Sequence, residues 1–273
     1  MPLEPLSPAA FAFVAQVENA FTGLMRFAVP QNESGQNESG LGGKLLYAGN
    51  LDESGRAFTA AAIIAGAAVL AAGADPAAAR QAMRDGIVDF LVNSLDEALR
   101  ILKNQVRKRE TAAVCVGLAP AVVEAEMRER GVVPDLLRHQ VPIASQHEAL
   151  LFDECAYDET APKAVPVLAV WRAGSGRPQD LAVLDQIALA CLDADDRAAR
   201  RWLRLAPRYL GRLAQDLRLL STHREFVARF HRQLGARADR GEIAFPYEIR
   251  SYVRGAENKL DPPANPDRRI PSP

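Results

Sequence analysis

The chain has 273 residues, 48% of them hydrophobic, with 33 Lys and Arg set against 34 Asp and Glu. That length buries a sizeable core in one large or two ordinary domains. The near-cancelling charge provides no global basic field for gathering nucleic acid or an anionic membrane, so neither is expected as a partner.

Cys115, Cys155 and Cys191 lie far apart, with neither CxxC spacing nor a nearby histidine pair. This argues against a metal site and a disulfide framework, and fits a reducing cytoplasm. The first residues, MPLEPLSPAA, show no basic leader followed by an apolar stretch. The longest apolar run, Phe58 to Ala72, is interrupted by glycine and too short to span a bilayer.

Phe11, Val14, Val17 and Phe21 recur at helical spacing and predict a helix over 8–21. QNESGQNESG, residues 31–40, is a tandem duplication with nothing to bury, and reads as an expanded loop without chemistry. Residues 1–43 are thus expected as an N-terminal helix and a flexible loop.

From Lys44 short apolar runs alternate with helical ones. Strands are predicted at 45–48, 67–72, 87–92 and 112–117, and helices at 56–65, 76–85, 94–108 and 120–130, followed by VVPDLL. Strands without polar alternation are buried on both faces, so 44–150 is expected to be an α/β, Rossmann-like doubly wound parallel sheet. Ser94 before Asp96 and Glu97 supplies an N-cap with acids complementing the helix dipole.

Residues 151–255 form an appended, mainly helical region. VPVLAVW offers one more strand, GSGRP at 174–178 a turn, and Leu181, Leu184, Ile187, Leu203, Leu210, Leu213, Leu217 and Leu220 an apolar stripe along 180–238. Residues 256–273 carry too much proline and charge to fold.

The chemical question lies in Gly49-Asn50-Leu51-Asp52-Glu53-Ser54-Gly55. A dinucleotide turn needs glycines so that backbone N–H groups reach a diphosphate at a helix N-terminus, and an acid at the end of the next strand for the ribose. Two glycines remain here, but Asp52 and Glu53 bring negative charge that Arg56 offsets only in part. Gly73 stands at the ribose-acid position, with Asp75 two residues late. Intact dinucleotide binding and a purely structural turn both stay open.

Among other candidates, His139 and Gln140 follow a strand at the edge where such folds bind ligands, and a loop histidine in solvent is the bland alternative. Cys155 stands among carboxylates that blunt a thiol. Arg197, Arg200, Arg201, Arg204, Arg208 and Arg212 read as a solvated helix face, or else as a surface for an anionic ligand or acidic partner. His223 and His231 lack a third ligand.

LDEAL at Leu95 to Leu99, MRERG at Met127 to Gly131, and PDLLRHQ at Pro134 to Gln140 recur in order with SGRPQDLAVLD (175–185), RRWLRLA (200–206) and RGEIAFP (240–246). Over roughly residues 45–250 the chain thereby resembles the urocanase family, as a shortened and divergent member. The resemblance implies a Rossmann-like NAD domain, a homodimer, and hydration of urocanate to imidazolone propionate, with NAD+ acting as an electrophile toward the imidazole. It places Gly49 and Gly55 at the first and last glycines of the family's GLGGMGG, with Ser54 and Arg56 beside them and Gly117 one step before the family's Gly-Asn. These five are the implied cofactor contacts.

For catalysis the resemblance implies His139, Gln140 and Trp171. Gln140 is retained from the family's TDQTSAHD, with His147 aligning to its histidine only across an insertion, and Trp171 is what remains of the family's FCEGKGPFRW. Two readings follow: a urocanase-type hydro-lyase using NAD in histidine breakdown and taking a small anionic or imidazole-like ligand, or a non-catalytic urocanase-derived binding or assembly module that has lost NAD.

Overall fold

The computed structural model describes residues 7–28, 40–138, 150–151, 167–174, 177–210 and 217–253. The chain divides into two compact units, one comprising Gln16–Ala156 with Arg208–Arg212, the other Met1–Ala15, Tyr157–Pro207 and Leu213–Pro273. The first helix, α1, runs Pro8–Leu24, slightly longer than its spacing predicts, and ends in a 3-10 turn at Met25–Phe27.

In the first unit, β1 (Leu45–Asn50), α2 (Glu53–Ala65), β2 (Ala68–Ala72), α3 (Pro76–Arg84), β3 (Phe90–Val92), α4 (Leu95–Lys108), β4 (Ala112–Val116), α5 (Pro120–Glu129), β5 (Leu136–Leu137) and β6 (Leu150–Leu151) follow in order. The strands form one sheet in the order β3-β4-β2-β1-β5-β6, and every pairing is parallel. This is the expected doubly wound α/β sheet.

Its central strands, AVLAA and AAVCV, are buried at every position, which is why their sequences show no polar alternation. Right-handed crossovers put α2 and α3 on one face and α4 and α5 on the other. Tyr47, Leu70, Leu99, Leu102, Val114 and Met127 share a core beneath the latter pair. From β1 the chain builds outward through β2 to the edge strand β3, turns back to insert β4 between β3 and β2, then crosses to place β5 on the other side of β1. Strand order therefore reverses between β1 and β5, the position at which folds of this kind open a ligand crevice.

Two boundaries within the doubly wound sheet differ from expectation by three residues. The helix predicted over 56–65 begins at Glu53, because the Asp52 side chain accepts from the Gly55 N–H and caps it. The strand predicted over 87–92 narrows to Phe90–Val92, the stretch paired with β4.

In the second unit, β7 (Val167–Ala173) lies between β8 (Arg218–Thr222) and β9 (Tyr247–Val253) in an antiparallel sheet, accompanied by α6 (Pro178–Cys191), α7 (Arg197–Tyr209) and α8 (Arg224–Asp239). The helical region is present, and the small sheet is an addition to it. The stripe predicted along 180–238 is interrupted by β8, whose Leu219 and Leu220 pair with Val170 and Ala169. No described helix is long and apolar enough to cross a membrane.

Candidate functional site

Gly49, next to last in β1, has φ of +68°, at a register shift where Ala48 is the extra residue against β2. A side chain is strained in that left-handed conformation, so glycine is required there by the backbone itself. Gly55, on the first turn of α2, is required for another reason: a Cβ built on it falls 1.9 Å from the Asn50 carbonyl oxygen. Both surviving glycines of the turn are thus accounted for by the path of the chain.

Asp52 stands at the N-terminus of α2, where aligned N–H groups favour a negative charge. Its Oδ1 accepts from Gly55 N at 2.8 Å, from the Ser54 hydroxyl at 3.0 Å, and from Arg138 Nη1 at 3.1 Å. The same Arg138 nitrogen donates to Ser54 Oγ. Burial raises the pKa of the Asp52 carboxyl, but the Gly55 N–H, Arg138 and Ser54 outweigh it, leaving the group below its ordinary value.

Arg138 follows β5 directly, and its backbone N–H donates to the Tyr47 carbonyl at 3.1 Å. It therefore reaches Asp52 from across the reversal of strand order. Tyr47 is fully buried, and its hydroxyl donates to Glu124 Oε1 at 3.0 Å. Burial first, then Glu124, pushes that phenol above its usual range while Arg138 pulls the other way.

The remaining predicted contacts are less concentrated. The Arg56 guanidinium is paired with Asp85, away from Asp52. Gly117, beyond the end of β4, donates its N–H to Val92 O at 2.8 Å and is separated from β1 by β2. Gly73 is in ordinary contact range of two neighbours: a Cβ on it would lie 3.6 Å from Cys115 Sγ and 3.9 Å from Leu51 Cβ. Asp75 caps α3 through Ala77 N.

Trp171 lies in the other unit, fully buried in β7, where its indole donates to Asp185 Oδ1 at 2.9 Å and its ring meets Phe230 edge-on. Asp185 Oδ2 accepts from Arg218 Nε at 2.9 Å, so Trp171 belongs to a packed polar network. His139, Gln140, His147 and Cys155 lie outside the described residues.

Several other candidates have structural partners. Arg200 donates to the Leu189 and Leu192 carbonyls at the end of α6, while Arg197, Arg204 and Arg208 are exposed. His223 caps α8, its Nδ1 accepting from Phe226 N. Cys115 and Cys191 are free and buried, and burial pushes the Cys115 thiol up to about 11. Among the described residues no group of three or more His, Cys, Asp or Glu is placed to hold a metal ion.

The residues that matter most, Asp52 as a cap and Arg138 as its partner, differ in legibility. An acid immediately before an apolar helix with another acid in its first turn is a readable N-cap signal. Arg138 has no such local signal.

A parallel sheet covered on both faces, with a capped helix at a strand-order reversal, defines a Rossmann-like domain. Residues 25–160 match the family model described as the urocanase Rossmann-like domain. Through that domain the chain belongs to the urocanase family.

The family implies NAD, and the turn after β1 does not fit its diphosphate. The Gly55 N–H, the Ser54 hydroxyl and Nη1 of Arg138 are all engaged by Asp52 Oδ1, and Arg56 is engaged by Asp85. Leu51, 6% exposed, packs toward Gly73 where a ribose-binding acid would stand.

Proposed function

We propose that this protein is a urocanase-derived scaffold that has given up the dinucleotide and works as a cytoplasmic, homodimeric binding or assembly module, not as a hydro-lyase. The observation that carries the reading is the Asp52 carboxylate at the N-terminus of α2, bonded to the Gly55 amide and Ser54 hydroxyl of the turn and to the Arg138 guanidinium beyond β5. Phosphate placed beside that carboxylate meets close like charge, an unfavourable interaction on the order of 1 kcal/mol or more. The ligand of such a module is a small anionic or imidazole-like molecule taken at the reversal between β1 and β5.

A second reading, NAD-dependent hydration of urocanate, is favoured by the family match. In it His139, Gln140 and Trp171 take the catalytic roles that the resemblance implies. Incubation of the protein with urocanate and added NAD separates the two. The first reading predicts that the ultraviolet absorbance of urocanate persists. A protein-dependent loss of that absorbance establishes the second.

A further inference from the structure

We propose that Asp52 is an internal anion that closes the α2 N-terminus to external diphosphate, and that Arg138 is the counter-ion holding it there; this rests on the reading that the dinucleotide has been given up. A backbone amide, a hydroxyl and a guanidinium converge on a single Asp52 oxygen. That is the donor set a phosphate oxygen takes at a helix N-terminus, filled here by the chain's own carboxylate.

Arg138 is fixed for this task. Its side chain is only 12% exposed, against 48% for Asp52, and its backbone continues the β1–β5 ladder. Its Nε is buried without a hydrogen-bond partner among the described residues, so the Asp52 pairing through Nη1 leaves donor capacity unused. The guanidinium is thus held by the fold, while the carboxylate facing it is the more exposed and replaceable partner.

Leu51 adds a second closure on the nucleoside side, because it is buried beside Gly73. The two closures are separable. Removing Asp52 restores the phosphate half of the site and leaves the half that a nucleoside needs filled. Diphosphate without a nucleoside therefore gains affinity, and NAD gains less.

The test is calorimetric titration of the full chain with inorganic pyrophosphate and, separately, with NAD at low salt. The proteins are wild type, Asp52→Gly, Asp52→Asn, and Asp52→Gly combined with Arg138→Ala, each checked for folding by thermal melting. Asp52→Gly is expected to bind pyrophosphate about tenfold more tightly than wild type, the effect of removing one close like charge. Asp52→Asn gains less, because its amide oxygen still caps Gly55 N, and it carries the test if the glycine variant does not fold.

Adding Arg138→Ala is expected to erase the gain. No gain in folded Asp52→Gly or Asp52→Asn overturns the inference while leaving the loss of the dinucleotide standing. A gain that survives Arg138→Ala overturns the role given to Arg138. Tight NAD binding by wild type overturns the underlying reading and this inference with it.

Discussion

Arg138 Nη1 lies 3.1 Å from Asp52 Oδ1, so the residue after β5 is ion-paired with the residue that caps the helix after β1. The pair spans the position at which strand order reverses, where a Rossmann-like sheet offers its ligand crevice. A glycine turn would present unsatisfied N–H groups to a cofactor there, whereas here a carboxylate already accepts from the Gly55 N–H. The chemistry at the crevice is therefore governed by two residues of the chain itself.

This pairing makes a pH-dependent contribution whose sign is fixed. Asp52 titrates below its ordinary value in the folded state, so its charged form stabilises the fold above the unfolded-state pKa of about 4. That contribution is lost as pH falls through the lower, folded-state value. Urea denaturation of wild type and Asp52→Asn is expected to show a stability gap near pH 7 that closes below about pH 4. Because the Asp52 side chain is 48% exposed, added salt also narrows the gap. A gap that widens on acidification contradicts the assignment.

The glycines yield a second expectation. Gly55→Ala brings a Cβ within 1.9 Å of the Asn50 carbonyl oxygen, forcing strand and helix apart at a cost of about 1–3 kcal/mol. Gly49→Ala adds a side chain at φ of +68°, costing about 1–2 kcal/mol. Gly73→Ala meets only ordinary contacts and is expected to change stability by less than about 0.5 kcal/mol. Chemical denaturation without any nucleotide measures all three. Wild-type stability in Gly55→Ala contradicts a packing origin for that glycine.

Trp171 is expected to matter for stability. Trp171→Phe removes the donor to Asp185 and costs about 1–3 kcal/mol, with Trp202 remaining as the fluorescent reporter. Asp185→Ala deprives the buried Arg218 guanidinium of its carboxylate and costs more, about 3–5 kcal/mol. Equal, small losses in the two variants contradict the network.

The first unit was readable because each of its central strands is a short, fully apolar run between helices, and burial on both faces enforces that pattern. The second unit was less so. Leu217 and Leu220 fit a helical stripe, yet Leu220 lies in β8 and Leu217 directly before it, and periodicity alone does not separate helix from buried strand there. β8 is a strand because β7 lies beside it, a tertiary fact. Asp52 was legible as a charge in the turn, and its capping role depends on where α2 starts. Arg138 was hidden because its partner lies 86 residues away and is set by strand order.

The most direct measurement is of NAD in the supernatant of denatured, freshly purified protein. Because Asp52 holds the donors of the turn, the expected result is no released NAD, together with no thermal shift when NAD is added to the intact protein. Release of one NAD per chain would contradict the assignment of Asp52 as the anion of this site.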